Sequence, residues 1–283
     1  MGFQKTRARV KLRRFALFAS GQFGLLALTL LWLLPYAWMV LTSLKTLPEI
    51  VAAPTRLFPE QLQFGAYRSA LAAMPLGRYL LNSTITALGI ALLQLLLALP
   101  AAYALGKLRF RGRSLAFGLI VATLLVPAQL RFVPIFSLLA ELGLTNTYSA
   151  LILPFAVSAL GSFLLRQALL SLPDSIIEAA RLDGASEFAI VFRLLPPLLV
   201  PSLVSVFLFS FVYHWNDYFW PLVMTTDDRV RTLPLGVALL REQGTGARWH
   251  IVMAGNVLLS APVLLVFAFA QRALLRAVAA STS

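Results

Sequence analysis

Long uncharged stretches alternate with short charged ones along the whole chain. Six runs contain no Asp, Glu, Lys or Arg over a length near or above the roughly 20 residues that a membrane-spanning helix needs. They are 15–44, 79–106, 114–130 continued as 132–140, 142–165, 194–216 and 249–271. Each run is longer than a β-strand, and none alternates with a period of two residues. The pattern predicts an all-α, polytopic membrane protein with six transmembrane helices.

Composition agrees with that pattern. Hydrophobic residues make up 59% of the 283 residues and charged residues only 12%, whereas soluble domains have about 45–50% and about 25%. The first run is about twice as long as the apolar part of a secretory signal, so we interpret it as an uncleaved span. The predicted organisation is a basic N-terminus at 1–14, a six-helix domain at 15–275 and a tail at 276–283.

Positive charge predicts the orientation. With both termini inside, the inner segments hold 15 Lys and Arg residues against 8 in the longer outer segments. Cytoplasmic loops of membrane proteins carry this excess. We therefore expect both termini, and the loop between spans four and five, in the cytoplasm. The net charge of +13 is better explained by this bias than by nucleic-acid binding.

One loop concentrates mixed charge in an otherwise apolar chain. Within 171–197, Pro173 and Asp174 are typical of a helix start, and Gly184 suits a C-terminal cap with positive φ. Ser186 is suited to cap a second helix that leads toward the prolines at 196 and 197. The loop is thus predicted as helix, glycine turn, helix. It forms either a docking knob for a partner groove or a pair of helices resting on the membrane.

The order of residues in this loop resembles the E-A-A loop of ABC importer permeases. The matching positions are Glu178, Ala179, Ala180, Asp183, Gly184, Leu194 and Pro197. Leu194 replaces the usual Ile, and Pro196 replaces Leu. The segments TSLKT at 42–46, RYLLNS at 78–83, WND at 215–217 and TLPLG at 232–236 are also similar to carbohydrate-type permeases, in particular to the second maltose-type subunit. The tail at 276–283 departs from the family pattern.

This resemblance implies an inner-membrane transport subunit that works in a complex. The partners would be a second permease, two ATPase subunits and an extracytoplasmic solute-binding protein, and the loop would be the cytoplasmic coupling helix between spans four and five. ATP and Mg²⁺ would bind the ATPase subunits, because this chain has no phosphate-binding GxxxxGK[ST] loop. We expect no enzyme activity, cofactor or metal site in this chain. The expected cargo is a carbohydrate, with glycerol-3-phosphate or a polyol as the alternative.

Polar side chains in or near the apolar runs are candidates for the transport pathway, because such groups are costly in a membrane. They are Asn82, Gln94, Gln129, Asn216, Asp217 and Asn256. Arg131 is expected about 26 Å along a helix from Ser114, near enough to the outer end to snorkel. The aromatic residues at 215 and 218–220, with His214, are expected to anchor at the membrane interface.

Two other classes of protein fit the sequence less well. A stand-alone secondary transporter or channel would need intramembrane carboxylates for ion coupling, and the six uncharged runs contain none. A membrane scaffold without transport activity would leave the spacing of the E-A-A loop unexplained.

Overall fold

The computed structural model describes residues 2–242 and 248–281, and all regular secondary structure in these ranges is helical. The helices are α1 (Gly2–Ser43), α2 (Leu47–Ala52), α3 (Gly65–Ala73), α4 (Leu76–Lys107), α5 (Arg113–Ala122), α6 (Ala128–Glu141), α7 (Tyr148–Ile152), α8 (Ala159–Leu170), α9 (Asp174–Leu182), α10 (Glu187–Ala189), α11 (Leu195–Leu198), α12 (Val200–Trp215), α13 (Phe219–Met224), α14 (Leu233–Glu242) and α15 (Trp249–Ser281). Short 3₁₀ turns follow α5 and α7, and a π-helix (Ile190–Leu194) joins α10 to α11.

Three helical segments in the described ranges are long and apolar enough to cross a membrane. They are Gly21–Ser43 in α1, the whole of α4, and Trp249–Gln271 in α15. Three further pairs of helices meet this criterion together but are bent at a short break. The angles are 98° between α5 and α6, 44° between α7 and α8, and 88° where α10–α11 meets α12. The fold is therefore helical with three to six candidate spans.

Proline explains the sharpest break. The residue before a proline is biased toward extended backbone, and Val126, which precedes Pro127, has φ −85° and ψ 115°. The third apolar run is thus two helices at 98° rather than one. The expectation that Arg131 lies about 26 Å along a continuous helix from Ser114 is wrong for this reason.

The fifth apolar run, 194–216, is also bent at prolines. Pro196, Pro197 and Pro201 have no backbone N–H, so the carbonyl groups four residues before each of them lose their helical partner. The chain responds with the π-helix Ile190–Leu194 and a break at Leu199, whose φ and ψ are −112° and 12°. The expectation of one straight helix over 194–216 is therefore also wrong.

The described residues divide into two compact units. One contains Met74–Leu239 and the chain from Leu259 onward, and its centre is α4, which packs against α8 and α12. A seam of fully or nearly fully buried alanines on α4 lets the helices approach closely, as small residues do in membrane proteins. It consists of Ala87, Ala91, Ala98 and Ala102. Gly161 of α8 continues this close packing, because a Cβ there would lie 3.1 Å from Val206 Cγ1.

The other unit combines the chain before Met74 with Leu240–Leu258. Ser43 at the end of α1 shares a hydrogen bond of 2.7 Å with the hydroxyl of Tyr67 in α3. Lys45 is buried, and its ammonium donates to the carbonyl of Arg56. Thr46 caps α2 by accepting from the backbone N–H of Glu49. The TSLKT segment therefore joins α1 to α2 through specific polar contacts.

Candidate functional site

The loop between α8 and α12 folds as two short helices around a glycine. Asp174 opens α9 directly after Pro173, and Ser186 caps α10 by accepting from the N–H of Ala189. Gly184 has φ 82°. Its N–H donates to the carbonyl of Arg181 at 3.0 Å, and the N–H of Ala185 donates to that of Ala180 at 2.9 Å. This pair of bonds is the Schellman motif, so the predicted helix, glycine turn and second helix are confirmed.

The first helix of the loop is fastened to the end of α4. The ammonium of Lys107, the last residue of α4, donates to the carboxylate of Asp174 at 2.5 Å and to the carbonyl of Leu172 at 2.7 Å. The hydrogen bond from Lys107 lowers the pKa of the Asp174 carboxyl below its ordinary value. Because the side chain of Lys107 is itself buried, the contact fixes where α9 begins relative to α4.

A second set of contacts joins both loop helices to α4. The hydroxyl of Tyr103 donates to Glu187 Oε2 at 2.5 Å, and Arg181 Nη2 donates to that hydroxyl at 2.9 Å. Arg181 Nε also donates to Glu187 Oε1 at 2.8 Å. One residue from each of α4, α9 and α10 thus closes a triangle, and each hydrogen bond involves a charged group, which strengthens it.

The outward side of the loop presents a different set of residues. Leu182 is 89% exposed, and Phe188 is also exposed. Ala179, Asp183 and Glu178 lie on the same exposed helix–turn segment, and Pro197 is exposed where the loop returns to the apolar run. The charged groups of Asp174 and Arg181 contact the protein itself, which leaves Glu178 at the rim. An apolar centre with a charged edge is typical of a protein-binding patch.

A large cavity lies among α4, α5, α6, α8, α12 and α15, within the unit built around α4. Its volume is about 1230 Å³, above the usual range of about 300–1,000 Å³ for small-molecule sites. Most of its wall is apolar or aromatic. Its polar lining includes Gln94, Arg131, Ser162, Ser210, Tyr213 and His214. Arg131 and Tyr213 are exposed, and the other four are at least nine-tenths buried.

Two of the buried polar groups lack a hydrogen-bond partner among the described residues. They are Ser210 Oγ and His214 Nδ1, which lie one turn apart on α12 and so share a face. Gln94 Nε2 donates to the carbonyl of Phe155 at 2.7 Å and lies 3.5 Å from His214 Nε2. A carbonyl only accepts, so this bond fixes the orientation of the Gln94 amide. The amide nitrogen only donates, so His214 Nε2 is the acceptor and Nδ1 carries the proton.

Asn82, a predicted pathway residue, holds the loop between α13 and α14. Its side-chain nitrogen donates to the carbonyls of Arg229 and Arg231 at 3.1 and 2.8 Å, and its oxygen accepts from the Tyr148 hydroxyl at 2.6 Å. Tyr79, one turn earlier on α4, donates to Asp228 at 2.5 Å. Asn82 does not line the cavity, and its role in the pathway stays a prediction.

The other predicted pathway residues are placed as follows. Asn216 is exposed and donates to the carbonyl of Val212 at 2.8 Å, and Asn256 makes the equivalent bond to Val252 at 3.0 Å. Asp217 accepts from the N–H of Trp220 at 3.2 Å, and burial raises the pKa of its carboxyl. The side chain of Gln129 lies outside the described residues, as do the side chains of 1–14 and 276–283.

The aromatic residues near 215–220 are more buried than the sequence predicts. The indoles of Trp215 and Trp220 are almost completely buried. They donate to the carbonyls of Leu259 at 3.0 Å and Ala150 at 2.9 Å. The prediction of an interfacial anchor is wrong for these two residues and for His214, whose ring packs 4.8 Å from that of Phe155. Ser210 was missed, although its spacing to His214 on an apolar helix was a usable signal.

No group of His, Asp and Glu suited to a metal ion occurs in the described part of the chain. The site is thus an exposed charged loop tied to a bundle of apolar helices with a half-open cavity. This combination is typical of an integral-membrane transport subunit.

Comparison with known families identifies this class more narrowly. Residues 94–280 match the model of the binding-protein-dependent transport system inner membrane component. The match covers more than half of the chain, and the chain therefore belongs to this family. It is a multi-pass inner-membrane permease of the ABC importer type, as the resemblance implied.

Individual relatives agree with this assignment. The chain is 36% identical over 231 residues to the sn-glycerol-3-phosphate transport system permease protein UgpE of Pectobacterium atrosepticum, covering 79% of this chain and 82% of the relative. It is 37% identical over 191 residues to the arabinooligosaccharides transport system permease protein AraQ of Halalkalibacterium halodurans, covering 68% of each. A chain of a bacterial ABC transporter that imports the acidic polysaccharide alginate superposes with a TM-score of 0.77 at 26% identity, covering 92% of this chain and 96% of that one.

Proposed function

We propose that this chain is one of two permease subunits in an ATP-driven importer, and that it moves a carbohydrate delivered by an extracytoplasmic binding protein. The observation that carries the proposal is the loop at 171–197. It is fixed to α4 on one side and exposes Leu182, Phe188 and Glu178 on the other. Such a loop suits a cleft in a partner, as helix-in-groove contacts do.

In this proposal the partner at the loop is one of two ATPase subunits, which bind ATP and Mg²⁺. The contact would use Glu178, Ala179, Ala180, Asp183 and Gly184, with Pro197 at the return to the bundle. Movement driven by nucleotide would enter through the loop and reach α4 through Tyr103 and Lys107. The chain itself would hydrolyse no ATP.

The topology follows from the same assignment. Each bent pair of helices counts as one span, which gives six spans with the α1 and α15 segments and α4. Both termini and the loop would then face the cytoplasm, in agreement with the bias of positive charge. A reporter active only in the cytoplasm should work when fused after Arg113 or Arg193. Activity of the same reporter after Arg231 would contradict this topology.

The cargo is proposed as a carbohydrate because one relative is named for arabinooligosaccharides and one structural neighbour for alginate. Binding to the cognate solute-binding protein tests this choice directly. An arabinose trisaccharide, an alginate trisaccharide and sn-glycerol-3-phosphate should be compared by calorimetry. Saturable binding of a saccharide supports the proposal, whereas binding of sn-glycerol-3-phosphate alone refutes the carbohydrate cargo.

Reversing the rim charge tests the docking surface. Glu178→Lys should insert normally but weaken retention of the ATPase subunits when the complex is purified. Glu141→Lys is the matched control, since Glu141 is also exposed and ends α6 far along the chain from the loop. Equal retention in both variants would show that the loop is not the docking element.

A further inference from the structure

The cavity combines two features that distinguish a binding site from a packing defect. It is roomy, at about 1230 Å³, and it carries buried polar atoms that the protein leaves unpaired. Ser210 is 7% exposed and His214 is 9% exposed, yet Ser210 Oγ and His214 Nδ1 have no partner in the described part of the chain. A buried polar group without a partner keeps its full desolvation penalty, so two on one face of a helix call for a ligand or water.

The chemistry of these atoms indicates what they bind. Gln94 fixes the histidine so that Nδ1 donates, and a serine hydroxyl both donates and accepts. A ligand with hydroxyl groups satisfies both positions at once. Aromatic residues also line the cavity, namely Phe209, Tyr213 and Phe267. Binding sites for organic molecules typically have this composition of apolar and aromatic walls with few oriented polar groups.

Neighbouring polar groups in the same wall are already occupied within the protein. Ser162 donates to the carbonyl of Ser158 at 2.9 Å, and Ser205 donates to that of Pro201 at 2.8 Å. Of the buried side-chain atoms that lack a partner in the described part of the chain, those of Ser210 and His214 are the ones that line this cavity. Their positions one turn apart match two adjacent groups on one ligand better than two independent ones.

We propose that this cavity is a saccharide-binding site within this chain, in which Ser210 and His214 hydrogen-bond hydroxyl groups of the cargo during translocation. The inference rests on the proposed function and adds where, and through which atoms, the carbohydrate is held. The site lies between α4, α8 and α12. The charged loop connects α8 to α12 and is hydrogen-bonded to α4.

The chain contains no cysteine, so a single introduced thiol reports on the cavity without background from this subunit. Ser210→Cys, in the complete complex with its partner subunits, should react with a water-soluble methanethiosulfonate. The trisaccharide bound by the cognate binding protein should slow that reaction by about threefold or more. Thr84→Cys is the control, because Thr84 lies on α4 outside the cavity lining, and the saccharide should leave its reaction rate unchanged.

The amount of saccharide transported per ATP hydrolysed provides a second test. His214→Phe keeps an aromatic ring but removes the donor, and Ser210→Ala removes the hydroxyl. Each should lower the amount of saccharide transported per ATP hydrolysed by about threefold to tenfold, the worth of one hydrogen bond. Stimulation of the ATPase by the loaded binding protein should stay within about twofold. His214→Asn, whose amide nitrogen replaces Nδ1, should restore part of the loss.

The two proposals fail in different ways. If the wild-type complex takes up no saccharide, the proposed function falls. If it takes up saccharide but the Ser210→Cys thiol is not protected, and Ser210→Ala transports as wild type does, the cavity is not the binding site. A purely structural hydroxyl at 210 would give that second result, because removing an unpaired buried polar group is neutral or stabilising.

Discussion

The charged loop and the cavity treat polar groups in opposite ways. In the loop, Asp174, Arg181 and Glu187 all contact α4 or one another through charged hydrogen bonds. In the cavity, Ser210 Oγ and His214 Nδ1 are buried but have no hydrogen-bond partner among the described residues. Paired groups fix a position, whereas unpaired buried groups remain available to a ligand. The contacts of the loop therefore keep it in one conformation, and the unpaired groups of the cavity remain free to bind a ligand.

The largest effect expected on the loop comes from its glycine. Gly184→Val places a β-branched residue at φ 82°, where the left-handed conformation costs roughly 1–2 kcal/mol. Since 1.4 kcal/mol is tenfold in an equilibrium constant, stimulated ATPase activity and uptake by the purified complex should fall by about tenfold. Membrane insertion should stay near normal.

A matched variant separates the role of the loop from backbone strain alone. Gly143 also has positive φ, at 67°, and like Gly184 it has open space around its Cα. Gly143→Val should therefore strain the chain equally while leaving coupling intact. If both valine variants lose the same activity, the loop has no special role in coupling.

Loosening the attachment of the loop should have a smaller effect. Tyr103→Phe removes the hydroxyl that joins Glu187 and Arg181 to α4, and we expect stimulated ATPase activity to fall by about threefold to tenfold. Arg181→Gln combined with Tyr103→Phe should lose less than the two single effects added, because the residues share one network. Tyr218→Phe, at an exposed tyrosine, is the control. Strict additivity of the two changes would contradict the network.

A change in the buried aromatic cluster should affect stability rather than transport. Trp220→Phe leaves the carbonyl of Ala150 without its indole donor, which should cost about 1–3 kcal/mol of unfolding free energy. The thermal midpoint of the purified complex should fall, while transport per folded complex is retained. Trp32→Phe, at a residue that is 82% exposed, should leave the midpoint unchanged, and an equal drop there would refute this role for Trp220.

The smallest expected effect is the acid response of the loop between α13 and α14. Hydrogen bonds from Arg229 lower the pKa of Asp227 from its ordinary value of 3.8 to about 2. A carboxyl with a lowered pKa stabilises the fold above its unfolded pKa, and this contribution is lost as pH falls through the folded value. Arg229→Gln should therefore reduce the thermal midpoint slightly at pH 5, and the difference from wild type should shrink as the pH falls below about 4, where the wild type loses the same contribution.

The matched control for that titration is Arg68→Gln, which removes an exposed arginine elsewhere. Its midpoint should follow the wild-type curve from pH 5 to pH 3. If Arg229→Gln follows that curve as well, the pairing of Arg229 with Asp227 does not contribute to stability.

The sequence predicts the helical class, the family and the geometry of the loop, because each depends on local pattern. The glycine turn at 184 and the serine cap at 186 need only neighbouring residues to form. The bends within the apolar runs are harder to predict from the sequence. Prolines at 127, 196, 197 and 201 signal interruptions, but the angles of 98° and 88° depend on what the helices pack against.

Burial of the aromatic residues could not be read from local pattern. Tryptophan beside polar residues at the end of an apolar run fits both an interface anchor and a core. Trp215 and Trp220 are buried because distant segments supply carbonyl acceptors, at Leu259 and Ala150. Similarly, Ser210 and His214 become noticeable only once Gln94, far away in the chain, is seen to lie beside the histidine ring.

The length of α4 has an evolutionary consequence. This one helix carries Asn82, which holds the loop between α13 and α14, and Tyr103, which holds the charged loop, about six turns later. Inserting or deleting one residue between them would rotate one attachment by about 100° relative to the other and shift it by about 1.5 Å. Both attachments would then not form together. Related sequences that keep both should align through this stretch without a gap, even where they share few identical residues.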